Sequence, residues 1–500
     1  MARMPYDSLA DFLEELDTCG QLARVETEVD GELEVAEITR RVAASGGPAL
    51  LFERVQGRSM ALVANLLGTE ERVRRALSID SLDEIMTRTE SLVEKHTPRN
   101  WFERLRTNSD ESGATRFRPK LVKAGPCQQV VRLGRDVDLQ QLATVKQWPA
   151  ESGNSITAGR VVSPALGDER QGAALCPLVV LDQNRLAMAE PAGSNLARNW
   201  SDHRAAGKKM PVAVVLGGDP AALVTTSLEL PLDVETDHMT GLLRCQPLEL
   251  VKCRTHALTV PAEAELVIEG FLDPDVETAH VELAGPGGRH LRVVPGAAVI
   301  QVTAVTHRTH SIFPAIIDCA VQGEMAALAK VRERMLLAAM RTVAPAIADL
   351  RLPAYGGADR FAFISIRKTV PHEARQVASA LWGSAALRAA MIVVVVDEGV
   401  DVYDTTAVLA EVGANATPDR DVFTFDGPPC AWSELTAGDG LARHLGIDAT
   451  RKIAGERAQS GPRRLSGSEE IAEKVTQRWS EYQIELADLA GVKSPGVVRL

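Results

Sequence analysis

The chain has 500 residues, too many for a single hydrophobic core to be the default, so two or three domains are expected. Apolar residues make up 45% of it and charged residues 24%, the balance of an ordinary globular protein, which excludes the disordered and fibrous classes. A formal net charge of -12 sets the chain against a phosphate backbone as partner, because nucleic-acid affinity comes from Lys and Arg neutralising phosphates.

From the N-terminus, Leu9, Phe12, Leu13 and Leu16 recur at helical spacing between Ser8 and Gly20, with Ser8 and Asp11 as a capping box and Gly20 as the stop. A second helix is predicted from Leu33 to Ala44, leading through Ser45-Gly46-Gly47-Pro48 into a short buried strand, Ala49 to Phe52. From about Leu121 to Pro314 the pattern becomes β-rich, with runs at Val161-Val162, Leu178 to Leu181, Val212 to Leu216, Leu248 to Val251, Ala264 to Ile268 and Ala298 to Val305. A mostly antiparallel sheet or barrel is expected there. Beyond Pro314, a long helix (Met325 to Thr342), a strand (Phe361 to Ile366), a helix (Glu373 to Trp382) and a strand (Met391 to Val396) alternate, which implies parallel pairing. The tail from Ser466 to Leu489 reads as an amphipathic helix with Ile471, Val475, Trp479, Tyr482 and Leu486 on one stripe, a surface suited to subunit packing.

Seven scattered cysteines with no CxxC pair argue against a disulfide framework and a zinc knuckle, and point to a reducing cytoplasm. No apolar signal core and no run long enough to span a bilayer is expected to act as a targeting or membrane segment. Several short patterns have bland explanations. Gly285-Pro286-Gly287-Gly288 lacks the Lys-Ser/Thr of a phosphate loop and reads as a turn, and His372-Glu373 lacks a second histidine. His307 and His310, placed on a predicted strand, would face opposite sides of the pleat. Asp233, Glu235 and Asp237 read as a solvated strand end, with a metal site as the minority alternative.

A set of ordered landmarks resembles the UbiD family of prenylated-flavin decarboxylases. It comprises Ser8-Leu9-Ala10-Asp11-Phe12-Leu13, Ile156-Thr157-Ala158-Gly159, Val180 to Leu186, Pro211 to Pro220, Val260 to Gly270, Val394 to Asp401 and Gly446 to Thr450 with Gly455-Glu456. The resemblance implies a multidomain α/β chain: an N-terminal α/β domain (1–115), a central flavin-reductase-like split β-barrel (116–315), a C-terminal α/β domain (316–463) and a terminal oligomerisation helix (464–500). It also implies decarboxylation of an aromatic or α,β-unsaturated acid, with a prenylated flavin as the electron sink and Mn2+ holding its phosphate.

Carried onto this chain, the family's positions hold other residue types. The metal-ligand asparagine falls on Gly172, the catalytic arginine on Pro177, the ligand histidine near Gly193 and the ligand glutamate on Thr236, with Glu235 or Asp237 taking that place if the register shifts by one. The phosphate-binding lysine falls on Met391 and a further arginine on Asn415, while the family's two-glutamate loop falls near Gly285 to Arg289. Glycine has no side-chain donor and proline no charge, so neither is a conservative replacement. Two expectations follow. The chain is a UbiD-like partner subunit or repurposed member without the usual flavin and metal; alternatively it is an active decarboxylase with a rebuilt pocket. For the second, Glu282, Arg289, His290 and Arg308 are the catalytic candidates, since either arginine suits a carboxylate and His290 could carry a proton. Thr157 and Arg160 are the cofactor-binding candidates, and prenylated FMN with Mn2+ is expected only if the family chemistry is retained. A homodimer or higher oligomer is expected, or a hetero-oligomer with another UbiD-like subunit, with no nucleic acid and no membrane as partner.

Overall fold

A computed structural model describes residues 6–88, 116–167, 170–189, 194–228, 235–285, 288, 290–319, 322–354, 360–383, 390–427, 442–456 and 468–482. Helix α1 (Leu9–Thr18) starts as the sequence predicts: Ser8 Oγ accepts from the Asp11 amide while the Asp11 carboxylate accepts from the Ser8 amide at 3.0 Å. Two otherwise unpaired amides are thereby satisfied. Leu9, Phe12, Leu13 and Leu16 are buried, and Gly20 reverses the chain at φ +70°. Strand β1 (Leu22–Val25), helix α2 (Glu34–Ala44), strands β2 (Ala49–Phe52) and β3 (Ala61–Ala64) and helix α3 (Glu70–Ala76) follow. Their four-stranded sheet is completed by a distant segment, Ile312–Ala315, which pairs in parallel with β3.

The middle of the chain supplies β4 (Lys120–Leu121), β5 (Val130–Leu133), β6 (Ser155–Ile156), β7 (Arg160–Pro164), β8 (Gln171–Leu175), β9 (Leu178–Val180) and β10 (Arg185–Met188). After helix α4 (Asn195–Ala205) come β11 (Met210–Leu216), α5 (Pro220–Thr226) and α6 (Thr236–Leu243). The region ends with β12 (Glu249–Lys252), β13 (Thr259–Pro261), β14 (Leu266–Leu272), β15 (Ala279–Ala284), β16 (Leu291–His307) and β17 (Ile312–Ala315). Ten of these strands form a curled half-barrel sheet of order β6-β9-β10-β16-β14-β11-β7-β8, with β5 and β15 attached to the 17-residue β16. Every pairing in it is antiparallel, as expected. Alternate residues of β11 enter two different cores, Val212, Val214 and Leu216 on one face and Ala213 and Val215 on the other. That double burial is why the segment reads as a continuous apolar run.

Two expectations for this region need correction. Helices α4, α5 and α6 interrupt it where only strands were predicted; α5 and α6 are short and almost wholly buried, so no polar face betrays them, while α4 buries Leu196, Trp200 and His203 at helical spacing and leaves a polar face outside. His310 does not share a strand with His307, because β16 ends at His307 and His310 lies in the turn before β17.

Next come α7 (Glu324–Val343), β18 (Ile347–Arg351), β19 (Phe361–Ile366), α8 (Glu373–Gly383), β20 (Ile392–Asp397), α9 (Thr405–Asn415), β21 (Val422–Gly427) and β22 (Ala442–Asp448). The sheet runs β18-β19-β20-β22-β21. Its centre is parallel as expected, while both edge strands, β18 and β21, pair antiparallel. Trp382 stacks on Phe425 at 5.4 Å and donates from Nε1 to the Ala390 carbonyl. Residues 370–372 and 452–500 form a separate unit. Its described helix spans Glu469–Gln477 and ends in a 3-10 turn, Trp479–Tyr482, shorter than the predicted 466–489; Leu486 lies outside the described residues.

Candidate functional site

Strand β7 opens at Arg160, between β8 (Arg160 opposite Leu175) and β11 (Arg160 opposite Val215). Its guanidinium is therefore drawn into the interior, where the residue is 4% exposed. The first turn of α6 meets it there: Arg160 Nη2 donates to the carboxylate of Asp237, itself 7% exposed. Arg160 Nε and Nη1 are buried and have no partner among the described residues. Unpaired buried donors on a cation are costly, so this fork is suited to an incoming anion.

The cleft beside Arg160 is lined by Ala158, Gly217, Gly218, Asp219 and Pro220. Gly217 (φ +69°) and Gly218 (φ +93°) turn the chain sharply from β11 into α5. A Cβ on Gly217 would meet Glu265 Cγ at 2.4 Å, so this turn demands glycine twice over, for conformation and for space. Asp219 caps α5 through the Ala221 amide (2.7 Å) and pairs with Arg244 Nε at 2.9 Å. Burial pushes its carboxyl up to about 6 despite the Arg244 cation. Behind Gly217, Glu265 is 1% exposed and accepts from the Ile312 amide at 2.9 Å. Burial lifts its carboxyl to about 7, against the opposing pull of that amide and of Arg308.

The residues singled out in the sequence fall in several places. Thr157 Oγ1 accepts from the Ile316 amide at 3.0 Å, three residues before Arg160. Gly172 sits on β8 opposite Ser163, and among the described residues a Cβ there would touch only Asn195, at 3.9 Å. Thr236 begins α6, 4% exposed, with its hydroxyl accepting from the Ala173 amide at 3.2 Å; Glu235 before it is exposed. Pro177 lies between β8 and β9, its carbonyl accepting from the Ala189 amide. Glu282 lies on β15, joined through its backbone to Ser152 (2.8 and 2.7 Å), and His290 is exposed at the turn into β16. Arg308 follows β16 and is engaged by Glu263 at 2.8 Å and Glu265 at 3.7 Å. Met391 precedes β20, and Asn415 closes α9 with its amide donating to Glu411 and to the Ala449 carbonyl. Gly193 and Arg289 lie outside the described residues, as does Asp233.

Around Arg160 the described residues do not suit a divalent cation. Gly172 offers no donor, the Thr236 hydroxyl is committed to Ala173, and the guanidinium with its unpaired donors would repel positive charge. Asp237 was misread as solvated: it is buried and neutralises Arg160. Asp219 and Glu265 were missed as site residues, although Gly217-Gly218-Asp219-Pro220 carries an N-cap Asp with Pro at N1, a legible helix start after a strand.

Three family models match in order: the N-terminal domain (residues 13–89), the Rift-related domain (residues 120–320) and the C-terminal domain (residues 326–449) of 3-octaprenyl-4-hydroxybenzoate carboxy-lyase, UbiD. Uncharacterized proteins of Aquifex aeolicus and Archaeoglobus fulgidus are 31% and 32% identical, each alignment covering 96% of this chain and 99% of the relative. The UbiD-class enzyme HmfF of Pelotomaculum thermopropionicum, solved with FMN, superposes with a TM-score of 0.77 at 27% identity over 91% of this chain and 97% of that one. Vanillic acid decarboxylase of Sedimentibacter hydroxybenzoicus in its closed form shares the fold at a TM-score of 0.83 and 23% identity, covering 96% of this chain and 100% of that one. With three consecutive domain matches and full-length relatives above 30% identity, the chain belongs to the UbiD family.

Proposed function

We propose that this chain is a UbiD-family protein that works without the family's metal-anchored prenylated flavin, as a companion subunit or repurposed member in the (de)carboxylation of aromatic or unsaturated acids. The observation that carries the reading is Arg160: a buried cation with two unpartnered donors where the family's metal set has no counterpart among the described residues. Nε and Nη1 lie on different edges of the planar guanidinium, each edge shared with the Nη2 that Asp237 holds, so each offers a single charge-assisted donor to an oxygen of the acid while Asp237 fixes the orientation of the group. In this role the cleft binds the acid and holds its carboxylate. UbiD-class neighbours include an evolved dimeric form of HmfF with prFMN and the two-subunit vanillic acid decarboxylase, so a homodimer or a mixed assembly in the cytoplasm is part of the proposal.

A second reading has its own support. Asp219 and Glu265, at about 6 and about 7, titrate where a group can hold or release a proton near neutrality. A rebuilt decarboxylase would place the acid on Arg160 and draw its proton from one of these two carboxyls, with Glu282, Arg289, His290 and Arg308 as the remaining polar candidates.

The experiment is purification from cells co-expressing the prenyltransferase that makes the cofactor, followed by absorbance, metal content, native mass and turnover of cinnamate-like and hydroxybenzoate-like acids. A colourless oligomer that binds such acids and releases no carbon dioxide is expected. Turnover by the chain alone selects the rebuilt enzyme, and stoichiometric prenylated flavin with a divalent metal overturns the proposal.

A further inference from the structure

Outside the residues lining the Arg160 cleft, the turn between β12 and β13 gathers a second set of donors. Cys253-Arg254-Thr255-His256 places a thiol and an imidazole on one turn, closed by the Cys253 amide donating to the Leu258 carbonyl at 2.9 Å. Strand β14 brings Glu269, 0% exposed, up to them. One ligand atom from each of the three lies within 4.8 Å of the others.

The hydrogen bonds prepare these atoms unequally. His256 Nε2 faces the Val212 carbonyl at 3.0 Å, and a carbonyl can only accept, so the ring proton sits on Nε2. Nδ1 then presents a lone pair, and it is buried without a partner among the described residues. An imidazole held by one nitrogen on a backbone carbonyl with the other left open is the arrangement metal-binding histidines use. The Glu269 carboxylate is fixed on the turn by the amides of Arg254 (2.8 Å) and Thr255 (2.7 Å) and by the Thr255 hydroxyl (2.8 Å). Oε1 has a single donor and so keeps acceptor capacity. Cys253 is a free, buried thiol.

We propose that Cys253 Sγ, His256 Nδ1 and a Glu269 oxygen form a binding site for a zinc-type divalent ion, with a fourth position open on the half-buried side of His256. The mixed sulfur, nitrogen and oxygen set suits zinc. Bond lengths of about 2.0–2.3 Å at tetrahedral angles require ligand atoms roughly 3.3–3.8 Å apart, so binding draws the turn inward by about 1 Å. The ion replaces the thiol proton, which leaves to solvent. The site clips the β12–β13 turn to the central sheet and does not depend on the function proposed for Arg160.

The test is titration of the chelator-treated full-length chain with Co2+ alone, followed by absorbance. One equivalent with a thiolate-to-cobalt charge-transfer band in the near ultraviolet is expected, displaced by Zn2+. Cys253→Ser should abolish the band, and His256→Gln should weaken binding by roughly tenfold or more. A wild-type chain that gives no such band overturns the proposal whatever the fate of the variants, and so does a band that survives in folded Cys253→Ser.

Discussion

Arg160 and Asp237 show what a single pair decides. Both are almost fully buried, and removing one partner of such a pair typically costs about 3–5 kcal/mol because the other charge stays buried and uncompensated. Arg160→Met should therefore lower the urea midpoint sharply, and Arg160→Met with Asp237→Leu should recover most of that loss. Binding of a hydroxybenzoate-like acid, followed by calorimetric titration, should fall by roughly 10- to 100-fold in both, since charge-assisted hydrogen bonds contribute about 1.5–3 kcal/mol. Recovery of stability without recovery of binding is the expected signature; binding that persists in the double variant removes Arg160 from the site. The sequence made Arg160 visible but not its partner. An aspartate among Asp233 and Glu235 looks solvated, and only the packing of α6 on the β7–β8 strands reveals that Asp237 is inside.

At the scale of elements, the spine is β16 with β14. Their register shifts between Glu269 and Gly270, and a Cβ on Gly270 would lie 2.5 Å from the Gln301 carbonyl oxygen and 2.8 Å from Ile300 Cγ2. Neither neighbour can withdraw easily, since one is backbone and the other is a branched core side chain. Gly270→Ala should destabilise by about 1–3 kcal/mol, read as a lower urea midpoint with an unchanged slope. An unaltered midpoint would mean that the strand pair relaxes freely at the bulge. Regular elements such as α1, β19 and β20 were legible because one period and clear stops govern them. The helices α5 and α6 were not, because seven or eight almost wholly buried residues display no period that a window can resolve; α4, whose buried Leu196, Trp200 and His203 recur at helical spacing, did carry a signal. The antiparallel edges of the C-terminal sheet were equally hidden, since alternation of strand and helix predicts parallel neighbours only for strands joined by a crossover.

Over the whole molecule, ties between segments far apart in the chain include both buried acids and exposed ion pairs. Glu324, the first residue of α7, is 3% exposed and accepts from the Leu67 amide at 3.1 Å, while Lys330 of the same helix pairs with Glu70 of α3 at 2.8 Å. Burial raises Glu324 to about 7, partly offset by the Leu67 amide and by Arg72. Asp318 is raised to about 7 by burial and by Glu151, and Glu265 to about 7 by burial. In the unfolded chain such carboxyls titrate near 4. Between about pH 4 and pH 7 the unfolded state thus binds fewer protons than the folded one, so these groups make stability fall as pH rises through that window and contribute no further slope above it. The chain is expected to resist urea better at about pH 5.5 than at about pH 8. Glu324→Gln keeps an oxygen for the Leu67 amide and removes the ionisation, so it should shrink that difference by on the order of 1–3 kcal/mol. A variant whose loss of stability between the two pH values matches the wild type would show that Glu324 stays ionised in the folded chain, held by Arg72 rather than neutralised by its surroundings.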